Sequence, residues 1–336
     1  MGLVKSYRLR WRRRRLLWRA FARRHQLRPV ADRTGAIAPG TILCFVTLRN
    51  ERARLPYFLD YYRTLGVGHF LMVDNASTDG GAAFLAEEPD VSVWHTDASY
   101  RAARYGMDWI TWLQRRYAHG HWCLTVDADE FFVFPFCDTR PLPALTDWLD
   151  ASALRSFSAM LIDMYPKGDL RRQNVAEGQS PFDVLRWFDS ANYVLSRNPE
   201  YRNLWIQGGP RARAFFADRP AEAPALNKIP LVKWHRRYAY VHSTHMLLPR
   251  GLNLTYDRGG GEMASGALLH AKFLSSLQAK AQEEADRGEH YAAGREYAAY
   301  RASLDGGLDL WNDWSERYIN WRQLEVLGLI SKGDWA

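Results

Sequence analysis

Only three of the 336 residues are cysteine, and Cys44, Cys123 and Cys137 each lie in or beside an apolar run without metal-type spacing. That scarcity excludes a disulfide scaffold and a thiolate metal centre, and it fits small buried thiols in a reducing, cytoplasmic setting. No stretch reaches the ~18 uninterrupted apolar residues of a spanning helix. No apolar h-region follows the N-terminal charges, so a secretory signal is not expected. Acid is also missing where base is concentrated: residues 1–30 hold eleven Lys and Arg and no Asp or Glu. Removing those eleven from the 45 basic residues leaves 34 against 37 acidic ones, so the net charge of +8 belongs to one arm on a slightly acidic body. There is no internal repeat.

The arm interleaves Leu16, Leu17, Trp18, Ala20 and Phe21 with its arginines. Three readings follow: an amphipathic helix on an anionic membrane surface, at the inner face of the membrane; a phosphate-neutralising arm for nucleic acid, the least favoured of the three; or a solvated extension. Pro29 to Gly40 is rich in Ala, Pro and Gly and reads as a linker. Beyond it, Thr41–Thr47 is a near-continuous apolar run, the pattern of a strand buried on both faces. Pro56 opens a helix that Gly66 closes. His69–Val73 and Val91–Trp94 are further strands, with a short helix at Ala82–Leu85 between them. Tyr105–Tyr117 is a helix and Trp122–Val126 the next strand.

This alternation argues for a parallel, doubly wound α/β sheet, in which ligands collect at the carboxyl ends of the strands. Polar clusters follow three of the predicted strands: Arg49-Asn50-Glu51, Asp74-Asn75 with Asp79, and Asp127-Ala128-Asp129-Glu130. The last is the most informative. Three carboxylates after an apolar strand require something positive, most simply a hard divalent cation with oxygen ligands. On an extended backbone Asp127 and Asp129 would share one face. After residue 135 the rhythm changes: an amphipathic helix at Leu142–Leu154, a strand at Ala159–Ile162 running into Asp163, and a long irregular excursion over residues 167–227. Strand character returns at Lys228–Trp234 and Tyr238–Val241, and Ala267–Phe273 is a further strand or a helix entry, before a polar helical tail.

With these segments in place the chain resembles family 2-type glycosyltransferases of the GT-A fold, with a distant likeness to family 92. The matching pieces are Arg49-Asn50-Glu51, Asp74-Asn75-x-Ser77-x-Asp79-Gly80, Asp127-x-Asp129-Glu130-Phe131, Lys228-x-Pro230, Ser243-Thr244-His245 and His270-x-Lys272. The resemblance implies a Rossmann-like doubly wound mixed sheet over residues 40–275, preceded by the arm and linker (1–39) and followed by a helical extension (276–336). It also implies a nucleotide-sugar donor, UDP-linked, a saccharide or lipid-linked acceptor in bacterial surface glycan synthesis, and Mn²⁺ or Mg²⁺.

On that resemblance Asp129 coordinates the metal, and Asp127 holds the ribose or the metal through water. His270 completes the metal shell, with His242 and His245 as competitors, and Lys272 touches the diphosphate. Asp74 contacts the base, Asn50 and Glu51 wrap the nucleoside, and Arg104 with Tyr105 faces the diphosphate. The acidic pair that many such enzymes carry at a later helix start does not stand out here. Asp163 is therefore the first candidate for the base that deprotonates the acceptor, with Asp183, Asp189 and Glu262 in reserve. Two other classes compete: a nucleotidyltransferase, for which the Gly-rich signature after the first strand is replaced by Leu48-Arg49-Asn50-Glu51, and a non-catalytic basic adaptor on a transferase fold.

Overall fold

A computed structural model describes residues 3–258, 261–274 and 307–335 of the chain. Helix α1 (Leu3–Arg23) leads into strand β1 (Arg28–Ala31). Then come β2 (Leu43–Leu48), α2 (Leu55–Leu65), β3 (His69–Asp74), α3 (Gly81–Glu87), β4 (Val91–His95), α4 (Met107–Tyr117) and β5 (Trp122–Thr125). Strands β2 to β5 realise the expected alternation. Their apolar runs feed two cores by turns, because successive side chains on a strand point to opposite faces. Cys44, Val46, Phe70, Met72 and Leu124 pack with α2, while Leu43, Phe45, Leu71, Val73 and Cys123 pack with α4. Helix α2 starts at Leu55 with proline in its first turn and stops where Gly66 adopts φ 111°, a conformation without penalty only for glycine.

The second half adds β6 (Glu130–Val133), α5 (Leu142–Ala151), β7 (Ser156–Asp163), β8 (Trp187–Asp189), β9 (Tyr193–Arg197), β10 (Leu204–Gly208), α6 (Gly209–Phe215) and β11 (Asn227–Lys233). After these come β12 (Ala239–His242), β13 (Met246–Leu248), β14 (Asp257–Arg258), β15 (Gly261–Glu262), β16 (Gly266–His270), β17 (Ser315–Arg317) and α7 (Trp321–Val326). The central sheet has nine strands in the order β1-β4-β3-β2-β5-β11-β7-β16-β6. It is parallel from β4 to β5 and again between β7 and β16. Strand β11 enters antiparallel to both β5 and β7, and β6 runs antiparallel to β16 at the edge. The sheet is therefore mixed α/β rather than parallel throughout.

Several local expectations change. The segment read as a linker supplies β1, an edge strand paired with β4. Residues after Asp129 form the separate strand β6, and the excursion from 167 contains the β9–β10 hairpin and α6. Of the expected helical tail, residues 275–306 lie outside the described residues, and the remainder contains one strand and one helix. Trp321 and Trp335 of this end return to the core beside Phe136.

The arm is a docked helix. Leu9, Leu16 and Leu17 pack on Ala239, Val241, Met246 and Leu248 of the β12–β13 hairpin. Its Arg19 reaches the fully buried Asp108 of α4 at 2.9 Å and Arg23 reaches the same carboxylate at 3.3 Å. Arg104 binds the other oxygen at 2.8 Å. Replacing Asp108 by alanine strands three guanidinium groups around an apolar site, so Asp108→Ala should lose about 3 kcal/mol of unfolding free energy in urea titrations. Asp147→Ala, on the exposed side of α5, should stay within about 0.5 kcal/mol of the parent.

Candidate active site

The acidic cluster is built by a turn. Strand β5 ends at Thr125, Val126 and Ala128 are buried in the core, and the Glu130 N–H donates to the Asp127 carbonyl at 3.0 Å. The backbone thus folds over rather than running extended, and the two aspartates diverge. Asp127 is half exposed and lies 3.6 Å from Lys228 Nζ. Asp129 Oδ2 lies 3.4 Å from His270 Nε2 and 3.6 Å from Arg54.

Register explains the rest. His270 pairs across the ladder with Glu130 on one side and with Asp163 on the other. These three side chains therefore share one face of three adjacent strands. Asp163 is buried, accepting from Arg211 Nε at 2.7 Å and bonded to His270 Nδ1 at 2.6 Å. Burial disfavours its charge, but Arg211 and His270 hold its carboxyl below the usual range. For His270 burial likewise opposes charge, and Asp129 with Asp163 overcomes it, pushing the imidazole up to about 9. Glu130 bonds to Lys228 Nζ at 2.9 Å, and burial pushes its carboxyl up to about 7 against the pull of that ammonium. Burial also works against the charge on Lys228, yet Glu130 and Asp127 raise its pKa above the ordinary lysine value.

Over this row opens a cleft of about 560 Å³. Its charged lining is Asp127, Glu130, Glu222, Arg211, Lys228, His270 and Lys272. Tyr100 and Tyr105 stand on one side, with Trp205, Gln207, Phe216 and residues 221–225 on another, and His242, Ser243 and His245 from the β12–β13 connection. Arg211, Lys228 and Lys272 offer fixed positive charge to an anionic ligand, and the aromatic side chains suit a planar base or a sugar ring.

The structure thus gathers Asp127, Asp129, Asp163, His270 and Lys272 in one place. Asn50, Glu51 and Asp74 belong to a neighbouring cluster outside the cleft lining. There Asp74 is bonded to His95 Nδ1 at 2.8 Å, Asn50 Oδ1 accepts from the Thr78 N–H at 2.8 Å, and Glu51 lies 3.5 Å from Arg54. Arg104 is a correction. From the turn that precedes α4, where its φ is 55°, its guanidinium reaches Asp108 and the Tyr240 carbonyl, and only its neighbour Tyr105 lines the cleft. His245 has its Nδ1 fixed on the Asn227 carbonyl at 2.6 Å, and burial together with Lys228 holds its pKa well below the usual value. Asp189 is bound to Arg213 and Tyr165, and Asp183 and Glu262 lie outside the cleft lining. Sequence reasoning passed over Glu130, Lys228 and Arg211 as site residues. Lys228 has a signal, a lysine opening an otherwise apolar strand, whereas Arg211 has none within an arginine-rich stretch.

Among the described residues no group of three or more His, Cys, Asp or Glu is assembled as a metal cage. Two donors do face one another, Asp129 Oδ2 and His270 Nε2, with the second imidazole nitrogen fixed by the buried Asp163. A carboxylate that fixes a histidine in this way is the usual support of a histidine ligand. The set fits an open site for a hard divalent cation that takes its remaining oxygens from ligand and water.

No protein-family model matches the chain, and no curated protein matches it. Among solved structures it is similar to mannosyl-3-phosphoglycerate synthase from Rubrobacter xylanophilus, with 18% identity over 41% of this chain and 48% of that one and a TM-score of 0.27. It is also similar to 4-diphosphocytidyl-2C-methyl-D-erythritol synthase (16% identity, 43% and 67% of the two chains, TM-score 0.26). A third is apo-UDP-glucose pyrophosphorylase (12% identity, 50% and 75%, TM-score 0.25). The chain spans about half the length of the first of these, and likenesses at this level carry no argument about activity.

The imidazole of His270 should titrate near pH 9 in the metal-free chain by NMR, with His245 titrating well below the ordinary imidazole value. Because the folded value exceeds the unfolded value of 6.5, the stability it contributes is complete below that pH and disappears as pH rises through about 9. Asp163→Asn should lower the His270 value by roughly one unit; an unchanged titration would mean that Asp163 does not hold this ring.

Proposed function

We propose that the chain is a metal-dependent glycosyltransferase. It moves a sugar from a nucleoside-diphosphate donor, UDP-linked, to a saccharide or lipid-linked acceptor. The observation that carries this reading is the facing pair Asp129 and His270, with Asp163 orienting the ring, beneath a cleft into which Arg211, Lys228 and Lys272 bring fixed positive charge. A sugar nucleotide leaves as a diphosphate, so the site must neutralise developing charge on two phosphates. Mn²⁺ or Mg²⁺ held by Asp129 and His270, with Asp127 alongside, would supply part of that neutralisation. Lys228, Arg211 and Lys272 supply the rest as fixed cations of this chain. The aromatic walls bind the nucleoside or sugar and exclude water.

Asp163 does not line the cleft, and Arg211 and His270 hold its carboxyl below the usual range, so its role is to position His270 rather than to accept a proton from substrate. Of the carboxylates lining the cleft, Glu130 is the one held near pH 7, and a general base works best with a pKa close to the operating pH. In this reading it takes the proton of the acceptor hydroxyl as the glycosidic bond to the diphosphate breaks. Glu51, Asn50 and Asp74 lie beside the cleft at the ends of β2 and β3, where the nucleoside would extend.

Nucleotidyl transfer is the second reading, and its product distinguishes it. Sugar transfer releases a nucleoside diphosphate, and nucleotidyl transfer releases pyrophosphate. Arg49, the first cation after β2, donates to the carbonyls of Asn75 and Ala76, so it braces a neighbouring loop.

Purified protein with Mn²⁺ and a panel of sugar nucleotides should release nucleoside diphosphate from at least one donor. Asp129→Ala should reduce that turnover by about a hundredfold or more. Glu130→Gln should reduce kcat by about 10²–10⁴-fold with little change in donor KM. Release of pyrophosphate instead would establish the second reading, and full retention of function in Asp129→Ala would favour a non-catalytic adaptor.

A further inference from the structure

Helix α1 has two faces, and the body covers one of them. Leu9, Leu16 and Ala20 are buried against the hairpin and α4. At 100° per residue, positions 7, 11 and 18 fall within about 40° of one another and about 180° away from positions 9 and 16. Those three are Tyr7, Trp11 and Trp18, exposed by 60%, 51% and 67%. Arg8 and Arg15 flank this stripe on one side, Arg10 and Arg14 on the other, and all four are exposed. The Arg14 guanidinium lies 5.5 Å from the Trp11 ring centroid.

Exposed arginines alone would serve any polyanion. An aromatic stripe held away from the body and bordered by guanidinium groups is more particular. Tryptophan and tyrosine partition to the headgroup level of a bilayer, while arginine pairs with anionic headgroups. No helix among the described residues is long and apolar enough to cross a membrane, which leaves a helix lying in the surface plane. We infer that α1 is a pre-folded docking surface for an anionic lipid bilayer, with Tyr7, Trp11 and Trp18 at the headgroup level and the flanking arginines on lipid phosphates. The opposite, buried face keeps the helix on the hairpin whose His242 and Ser243 line the cleft. Docking therefore sets the cleft beside the bilayer. That consequence rests on the proposed sugar transfer with a lipid-linked acceptor; the docking itself does not.

The test is flotation of the full chain with phosphatidylcholine vesicles and with vesicles that also contain phosphatidylglycerol, in the absence of nucleotide. Binding is expected only to the second set and should weaken with salt. The pair Trp11→Ala and Trp18→Ala should weaken it about tenfold. The set Arg8→Ser, Arg10→Ser, Arg14→Ser and Arg15→Ser should weaken it by at least about tenfold. Both sets should stay close to the parent Tm, because these side chains are exposed and the buried face of the helix is left intact. Failure to float with anionic vesicles, or equal flotation with both kinds, would overturn the inference. So would tight binding of single-stranded RNA that excludes vesicles and is untouched by the tryptophan substitutions. Sugar-nucleotide turnover is measured separately, so loss of one result leaves the other standing.

Discussion

A carboxylate taken out of water must be met by positive charge, and Asp163 shows what this requirement builds. It sits at the end of β7 with Arg211 of α6 on one oxygen and His270 of β16 on the other. Left without either partner, a charge so deeply buried would cost several kcal/mol. The need to satisfy it joins three elements distant in sequence and gives His270 a single orientation. That orientation is what brings the ring's Nε2 to face Asp129.

The same requirement recurs in two further places. Glu130 and Lys228 face one another in the cleft lining, one end of the pair from the edge strand β6 and the other from the inserted strand β11. On the far side of the sheet Asp108 gathers Arg19, Arg23 and Arg104 and so fastens the N-terminal helix to the body. The basic arm and the slightly acidic body are therefore not independent charges. Part of the arm is consumed in neutralising a core carboxylate, and the part on the opposite face is left for solvent or a partner.

Much of the first half was legible because its signals are local. The runs Leu43–Leu48 and His69–Asp74 are apolar on both faces, and Pro56 and Gly66 mark the limits of α2 by backbone chemistry alone. The second half depends on pairings between distant segments, which local patterns do not encode. Nothing in Asn227–Lys233 says that it enters antiparallel between β5 and β7, yet that insertion is what brings Lys228 to Glu130. The acidic turn was visible as a place needing a cation, and His270 and Lys272 were visible beside it. Two placements needed tertiary information: Arg104, in the turn before α4, is held by the buried Asp108, and Asp163 is engaged by Arg211 of the short helix α6. The docked arm was hard to read for a related reason, since its buried leucines are few among many arginines.

Glu130, His270 and Asp163 stand at one level of three neighbouring strands, while the aromatic and loop residues around them come from connections such as 216–225. A slip of one residue in any of those strands would turn its member of the row to the opposite face. The surrounding connections face no such restriction. Natural variation in a lineage of such proteins can therefore lengthen, shorten or resequence the rim without touching the row. On the proposed reading, preference for one donor or acceptor is free to drift while the underlying chemistry is inherited unchanged.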